Sequence, residues 1–149
     1  MLVRVAAVQA EPVWLDAEAT VSKTLKLIAE AASAGAQLIA FPETWIPGYP
    51  VFLWSHPVYL QQEFLAKYHA NSLHVSDAQM VRIRRAAREN SITVVVGYSE
   101  KAGGSLYMAQ SIIGPDGDVV LHPRKLKPTH VERALFGEPV FRFLQAFRL

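Results

Sequence analysis

The run Ala36-Gln37-Leu38-Ile39-Ala40-Phe41 is short, apolar and closed by Pro42. It reads as a buried strand that stops where proline can no longer donate to a ladder. Immediately upstream, Val21, Leu25, Ile28 and Ala32 recur at helical spacing, with Asp16 placed to cap the first turn and Gly35 to end the last. Before that helix, Leu2-Val3-Arg4-Val5-Ala6-Ala7-Val8-Gln9 is rich in β-branched residues and bounded by Pro12, so it suits a second buried strand. Strand, helix and strand within some forty residues make a βαβ unit, for which a right-handed crossover is expected.

Outward from that unit, residues 44–57 mix Pro47, Gly48, Pro50 and Pro57 with Trp45, Ile46, Tyr49, Phe52, Leu53 and Trp54. This composition predicts an ordered aromatic loop. A helix is expected over 57–70, with Pro57 in its first turn, and another from Ser76, where Ser76 and Gln79 have capping-box spacing. Ile92 to Tyr98 is the plainest strand of the chain. Gly103-Gly104 turns it into a strand over 106–113, and Pro115-Asp116-Gly117-Asp118 leads to a last one over 119–122. The order β-α-β-α-α-β-β-β predicts an α/β fold built on a mixed sheet.

The 149 residues suit one compact domain, and a formal charge of +2 with scattered basic residues gives no electrostatic case for a nucleic-acid partner. No segment approaches the roughly 18 apolar residues of a membrane span, and residues 1–10 lack a signal-peptide pattern. A cytoplasmic protein without a membrane partner is the expectation. The sequence contains no cysteine, which removes disulfides, thiolate metal sites and any cysteine nucleophile of its own.

Glu43 follows the second strand at the carboxyl end, where open α/β sheets place their ligands. Set between an apolar strand and an aromatic loop, it would be partly desolvated and suited to general-base work; it could equally be a solvated or ion-paired loop glutamate. Lys125 and Lys127 come directly after the last strand, where a fixed cation could stabilise a developing anion or simply belong to a basic turn. Glu132 and Arg133 offer either a carboxylate that holds a lysine in place or an ordinary surface pair. His56, His69, His74, His122 and His130 show no metal-ligand spacing, so no metal site is expected and a metal hydrolase built on Glu43 and the histidines is a distant alternative.

The two segments Phe41-Pro42-Glu43-Thr44-Trp45-Ile46-Pro47-Gly48-Tyr49-Pro50 and Arg124-Lys125-Leu126-Lys127-Pro128-Thr129-His130-Val131-Glu132-Arg133 closely resemble the two N-terminal signature regions of the nitrilases, in the carbon–nitrogen hydrolase superfamily. Val5-Ala6-Ala7-Val8-Gln9-Ala10 is similar to the first strand of that family. The resemblance implies part of an α-β-β-α sandwich with helices on one face of a mixed sheet, in an oligomeric protein. It also implies Glu-Lys-Cys catalysis on an organic nitrile, giving a carboxylic acid and ammonia without a cofactor. By motif position Glu43 matches the general base, Lys125 the catalytic lysine and Glu132 the supporting glutamate. Trp45, Tyr49, Trp54 and His130 would lie near the substrate.

In the family the nucleophile belongs to a Cys-Trp-Glu segment beyond the lysine motif, and the sequence ends before any such segment. The expectation is therefore an N-terminal half-domain over 1–138, inactive alone. Residues 139–149, apolar and basic, read as an off-family, frameshifted tail. A homo-oligomer or a complementing C-terminal half is the expected partner, because the sheet should expose an apolar face. A structural fragment that completes a nitrilase assembly is the alternative role.

Overall fold

The computed structural model describes residues 2–139. The expected tail over 139–149 therefore lies, except for Pro139, outside the described residues. Strand β1 (Val5–Ala7), helix α1 (Ala17–Ser33) and strand β2 (Leu38–Ala40) form the βαβ unit, with β1 and β2 parallel. Asp16 caps α1 by accepting the Ala19 amide on Oδ1 at 2.9 Å, and the chain leaves the helix through Gly35 at φ +80°.

β2 runs parallel to β3 (Thr93–Ala102), and β3 pairs antiparallel with β4 (Ser105–Ile113), which pairs antiparallel with β5 (Val119–Leu121). The five strands lie in sequence order across one mixed sheet. Registers sort the side chains by face. Ile39 lies opposite Val94, Val94 opposite Ile113, and Tyr98 opposite Ala109. All five are buried against α1 and α4 (Ala78–Glu89), where Val21, Ile28, Met80 and Ile83 are fully covered.

The other face carries Val5, Leu38, Ala40, Val95 and Ile112, which are half-buried or, for Val5, 62% exposed. Its far end is closed by a smaller cluster. There Leu106 and Met108 pack on Phe52 and Leu53 of α2 (Phe52–Ser55), Tyr68 of α3 (Gln62–Ala70), and Phe136. The long helices thus cover one face, and half of the opposite face is open. Among the described residues no helix is long and apolar enough to cross a membrane.

Several local expectations change. β3 continues four residues past Tyr98 to Ala102. The helix expected over 57–70 cannot start at Pro57, whose ψ of 149° is extended. A single 3-10 turn (Val58–Leu60) precedes α3 instead. The Ser76–Gln79 capping box does not form. The Ser76 hydroxyl instead pairs with Nδ1 of His74 at 2.7 Å, and α4 starts after Asp77 without a side-chain cap.

Candidate active site

Glu43 stands on an excursion of the chain between two points of contact with the same strand. The Phe41 amide donates to the Val95 carbonyl at 2.8 Å, and the Ile46 amide to the Gly97 carbonyl at 3.3 Å. β3 advances two residues between these bonds while the facing chain advances five, so Pro42, Glu43 and Thr44 are extruded over Gly97. That glycine makes room for them. A Cβ on Gly97 would lie 2.4 Å from the Pro42 carbonyl oxygen and 3.0 Å from the Glu43 Cα. Thr44 turns the chain at φ +46°, a conformation that costs a non-glycine residue.

Lys125 reaches the same place from the other side of the sheet. After β5, residues 123–125 continue alongside β4: the Gln110 amide donates to the Pro123 carbonyl at 2.9 Å, and the Lys125 amide to the Met108 carbonyl at 2.7 Å. Alternation along this extension sends His122 and Arg124 to the helix-covered face and Lys125 to the open one.

Glu132 arrives on a 3-10 turn (His130–Ala134) opened by a capping box with Thr129. Its Oε2 accepts the Thr129 amide at 2.6 Å and the Thr129 hydroxyl at 3.0 Å, while Oε1 accepts the Tyr49 hydroxyl at 3.0 Å. The Lys125 ammonium donates to both oxygens, at 3.2 and 3.0 Å, and lies 3.1 Å from Oε1 of Glu43. Lys125 is thus bracketed by two carboxylates of different character. Glu132 has a side chain only 4% exposed, whereas that of Glu43 is 50% exposed.

Electrostatics follow from these contacts. Burial pushes the Glu132 carboxyl up, but the Thr129 amide, Lys125, the Thr129 hydroxyl and Tyr49 outweigh it and hold the group below the ordinary carboxylate value. Burial likewise pushes Lys125 down, yet Glu132 and Glu43 prevail and keep its pKa above that of a free lysine. Burial raises the Tyr49 phenol, so it stays protonated and able to donate. Half of the Glu43 side chain is covered and half is open to solvent. A cleft of about 240 Å³ opens here, lined by Glu43, Gly97, Met108, Gln110 and Lys125.

Not every candidate reaches the cleft. Trp54 is 58% exposed and stacks on the ring of His130, centroids 4.8 Å apart, so these two form a surface pair beside the 3-10 turn. Trp45 lies off this cleft. It is 1% exposed in the core, and its Nε1 donates to Thr24 of α1 at 2.8 Å. Lys127 pairs with Glu138 at 2.6 Å on the surface. Among the described residues no group of three metal-ligating side chains converges.

One buried carboxylate escapes a reading of the sequence. Glu100, 2% exposed on the helix-covered face, takes two bonds from Arg124, from Nε at 2.6 Å and from Nη2 at 3.0 Å. Nε2 of His122 lies 3.1 Å from Oε1 of Glu100 but out of line for a hydrogen bond, and Nδ1 of that ring meets the hydroxyls of Ser111 and Tyr98 at 3.0 and 3.2 Å. Burial raises the Glu100 carboxyl, but His122 and Arg124 more than offset this and hold it at about 2. The signal for Glu100 was the alternation Val94, Val96, Tyr98, Glu100, which places it in line with the buried face.

A mixed α/β sheet thus gathers two carboxylates and a lysine at an open cleft. The carbon-nitrogen hydrolase family matches residues 4–146, and the chain belongs to that family. An arylacetonitrilase from Aspergillus kawachii is 52% identical over 144 residues, covering 97% of this chain and 43% of the relative. An aliphatic nitrilase from Rhodococcus rhodochrous is 54% identical over 137 residues, covering 91% of this chain and 36% of that one. This chain therefore spans less than half the length of these curated relatives. Among solved structures, an amidase from Nesterenkonia sp. superposes with a TM-score of 0.67 at 20% identity, covering 93% of this chain and 48% of the amidase. That likeness supports the fold: one sheet and its helices from a nitrilase-type sandwich.

Proposed function

We propose that this chain supplies the Glu43, Lys125 and Glu132 part of a site that hydrolyses an organic nitrile to a carboxylic acid and ammonia. The observation that carries the reading is the Lys125 ammonium, 3.0 Å from Glu132 and 3.1 Å from Glu43 at the edge of an open cleft. The relatives bear nitrilase names, and one structure of the Nesterenkonia amidase shows addition of acrylamide at an active-site cysteine. This sequence has no cysteine, so the thiol comes from a complementing segment that covers the open sheet face.

In the proposed reaction Glu43 takes the thiol proton and passes it to the nitrile nitrogen as the thiolate adds to the carbon, forming a thioimidate. Water adds to the thioimidate. Lys125 stabilises the tetrahedral species and protonates the nitrogen, which leaves as ammonia while the hydroxyl proton returns to Lys125 and a thioester forms. A second water, deprotonated by Glu43, cleaves the thioester and returns the thiol. Glu132, tied down by Thr129 and Tyr49, keeps Lys125 charged and aimed at the cleft.

Co-expression with the cysteine-bearing C-terminal segment of the Aspergillus arylacetonitrilase tests the reading, with ammonia release from phenylacetonitrile as the signal. The co-purified pair is expected to release ammonia and the chain alone to release none. A silent pair that co-purifies, or turnover by the chain alone, overturns it.

A further inference from the structure

A second cleft, of about 150 Å³, shares Glu43 with the first and is walled by Pro12, Trp14, Pro42, Trp45, Gly48 and Tyr49. Apart from Glu43 these walls carry no charge, and three of them, Trp14, Trp45 and Tyr49, are aromatic. Trp14 is 44% exposed, although a tryptophan usually covers most of its surface in a folded domain.

The backbone on both sides of the exposed ring is nonetheless held fast. The Val13 amide donates to the Thr20 hydroxyl at 3.0 Å, and that hydroxyl donates back to the Val13 carbonyl at 2.9 Å. On the other side of Trp14, the Leu15 amide donates to the Pro47 carbonyl at 2.9 Å, with Leu15 at φ +56°. Gly48 clears the space under the ring. A Cβ there would stand 2.5 Å from Cε3 of Trp14. Tyr49, another aromatic wall, is tethered through its hydroxyl to Glu132. An exposed aromatic pinned on both sides, beside a carboxylate and over a glycine, is built to receive something flat and apolar.

We propose that Trp14, with Pro12 and Tyr49, forms the subsite for the organic group of the substrate and selects nitriles that carry an aromatic or extended apolar group. This rests on the hydrolytic reading above and narrows its substrate class. The nitrile carbon then lies at the shared wall, Glu43, within reach of Lys125. Short nitriles leave the ring uncovered and gain nothing from it.

The test is a titration of the 149-residue chain with phenylacetonitrile and, separately, propionitrile, following the indole N–H resonances of its tryptophans by NMR. Phenylacetonitrile is expected to shift the Trp14 resonance saturably and more than that of Trp45, whose indole N–H is bonded to Thr24 in the core. Trp14→Ala is expected to weaken phenylacetonitrile binding about tenfold and Trp14→Phe to keep it within about threefold, with propionitrile indifferent to both. A Trp14 resonance that does not move, or equal phenylacetonitrile affinity in Trp14→Ala, overturns the subsite whatever the ammonia assay shows. Saturable binding at Trp14 with a silent, co-purified pair overturns the hydrolytic reading alone.

Discussion

Arg124 and Lys125 are adjacent in the chain and leave it on opposite faces of the sheet. Arg124 forms a two-pronged ion pair with buried Glu100 under the helices, and Lys125 points between Glu132 and Glu43 at the open cleft. The strand extension that carries both is therefore anchored on one side while it presents a cation on the other.

Removing one partner of the buried pair should be costly. Arg124→Ala leaves the Glu100 carboxylate buried without its main cation, and a loss of about 3–5 kcal/mol is expected in urea unfolding. The paired change to a matched apolar couple should recover much of it.

The same pair sets an acid limit. The Glu100 pKa is held at about 2 in the fold against 4.5 in the unfolded chain, so its stabilisation is complete above about pH 4.5. It drains away as pH falls toward 2, because the unfolded state then binds the extra proton. Unfolding midpoints measured across that window should fall with pH, and Glu100→Gln should flatten this part of the slope.

Lys125 offers a titration on the cleft side. Its folded pKa is raised, so the associated stability is present below the ordinary lysine value and is lost only as pH climbs through the folded one. Glu132→Gln should bring the Lys125 titration down, and Glu43→Gln with Glu132→Gln should bring it down further, as read from the lysine Cε resonance. An unmoved titration would show that the contacts do not govern the ammonium.

Gly97→Ala tests the excursion that carries Glu43. The methyl group would meet the Pro42 carbonyl rather than a side chain that can swing away, so a loss of about 1–3 kcal/mol is expected in urea unfolding. The spacing of Glu43 from Lys125 should change with it, visible as a shifted Lys125 titration.

The βαβ unit was legible because Asp16, Gly35 and Pro42 punctuate three apolar segments, each with its own period. The meeting of Glu43, Lys125 and Glu132 was not legible from local sequence. Each residue had an ordinary surface reading, and only the resemblance of the two segments brought them together. Chain direction explains the burial of Trp45: it follows Glu43 by two residues, but the extruded turn at Thr44 sends it back into the core toward Thr24. Glu100 was hidden by ending the third strand at Tyr98, two residues short of the carboxylate on the same face. Trp14 carried no periodic signal at all, since its place depends on Thr20 and Pro47 across the loop.

The central claim is that Lys125, held between two carboxylates, does chemistry, whereas Lys127, paired with Glu138 on the surface, does not. The most direct measurement is ammonia release from phenylacetonitrile by the complemented pair carrying Lys125→Met or Lys127→Met. A loss of about 100- to 1,000-fold is expected for Lys125→Met and near-unchanged turnover for Lys127→Met. Equal turnover in the two variants would contradict it.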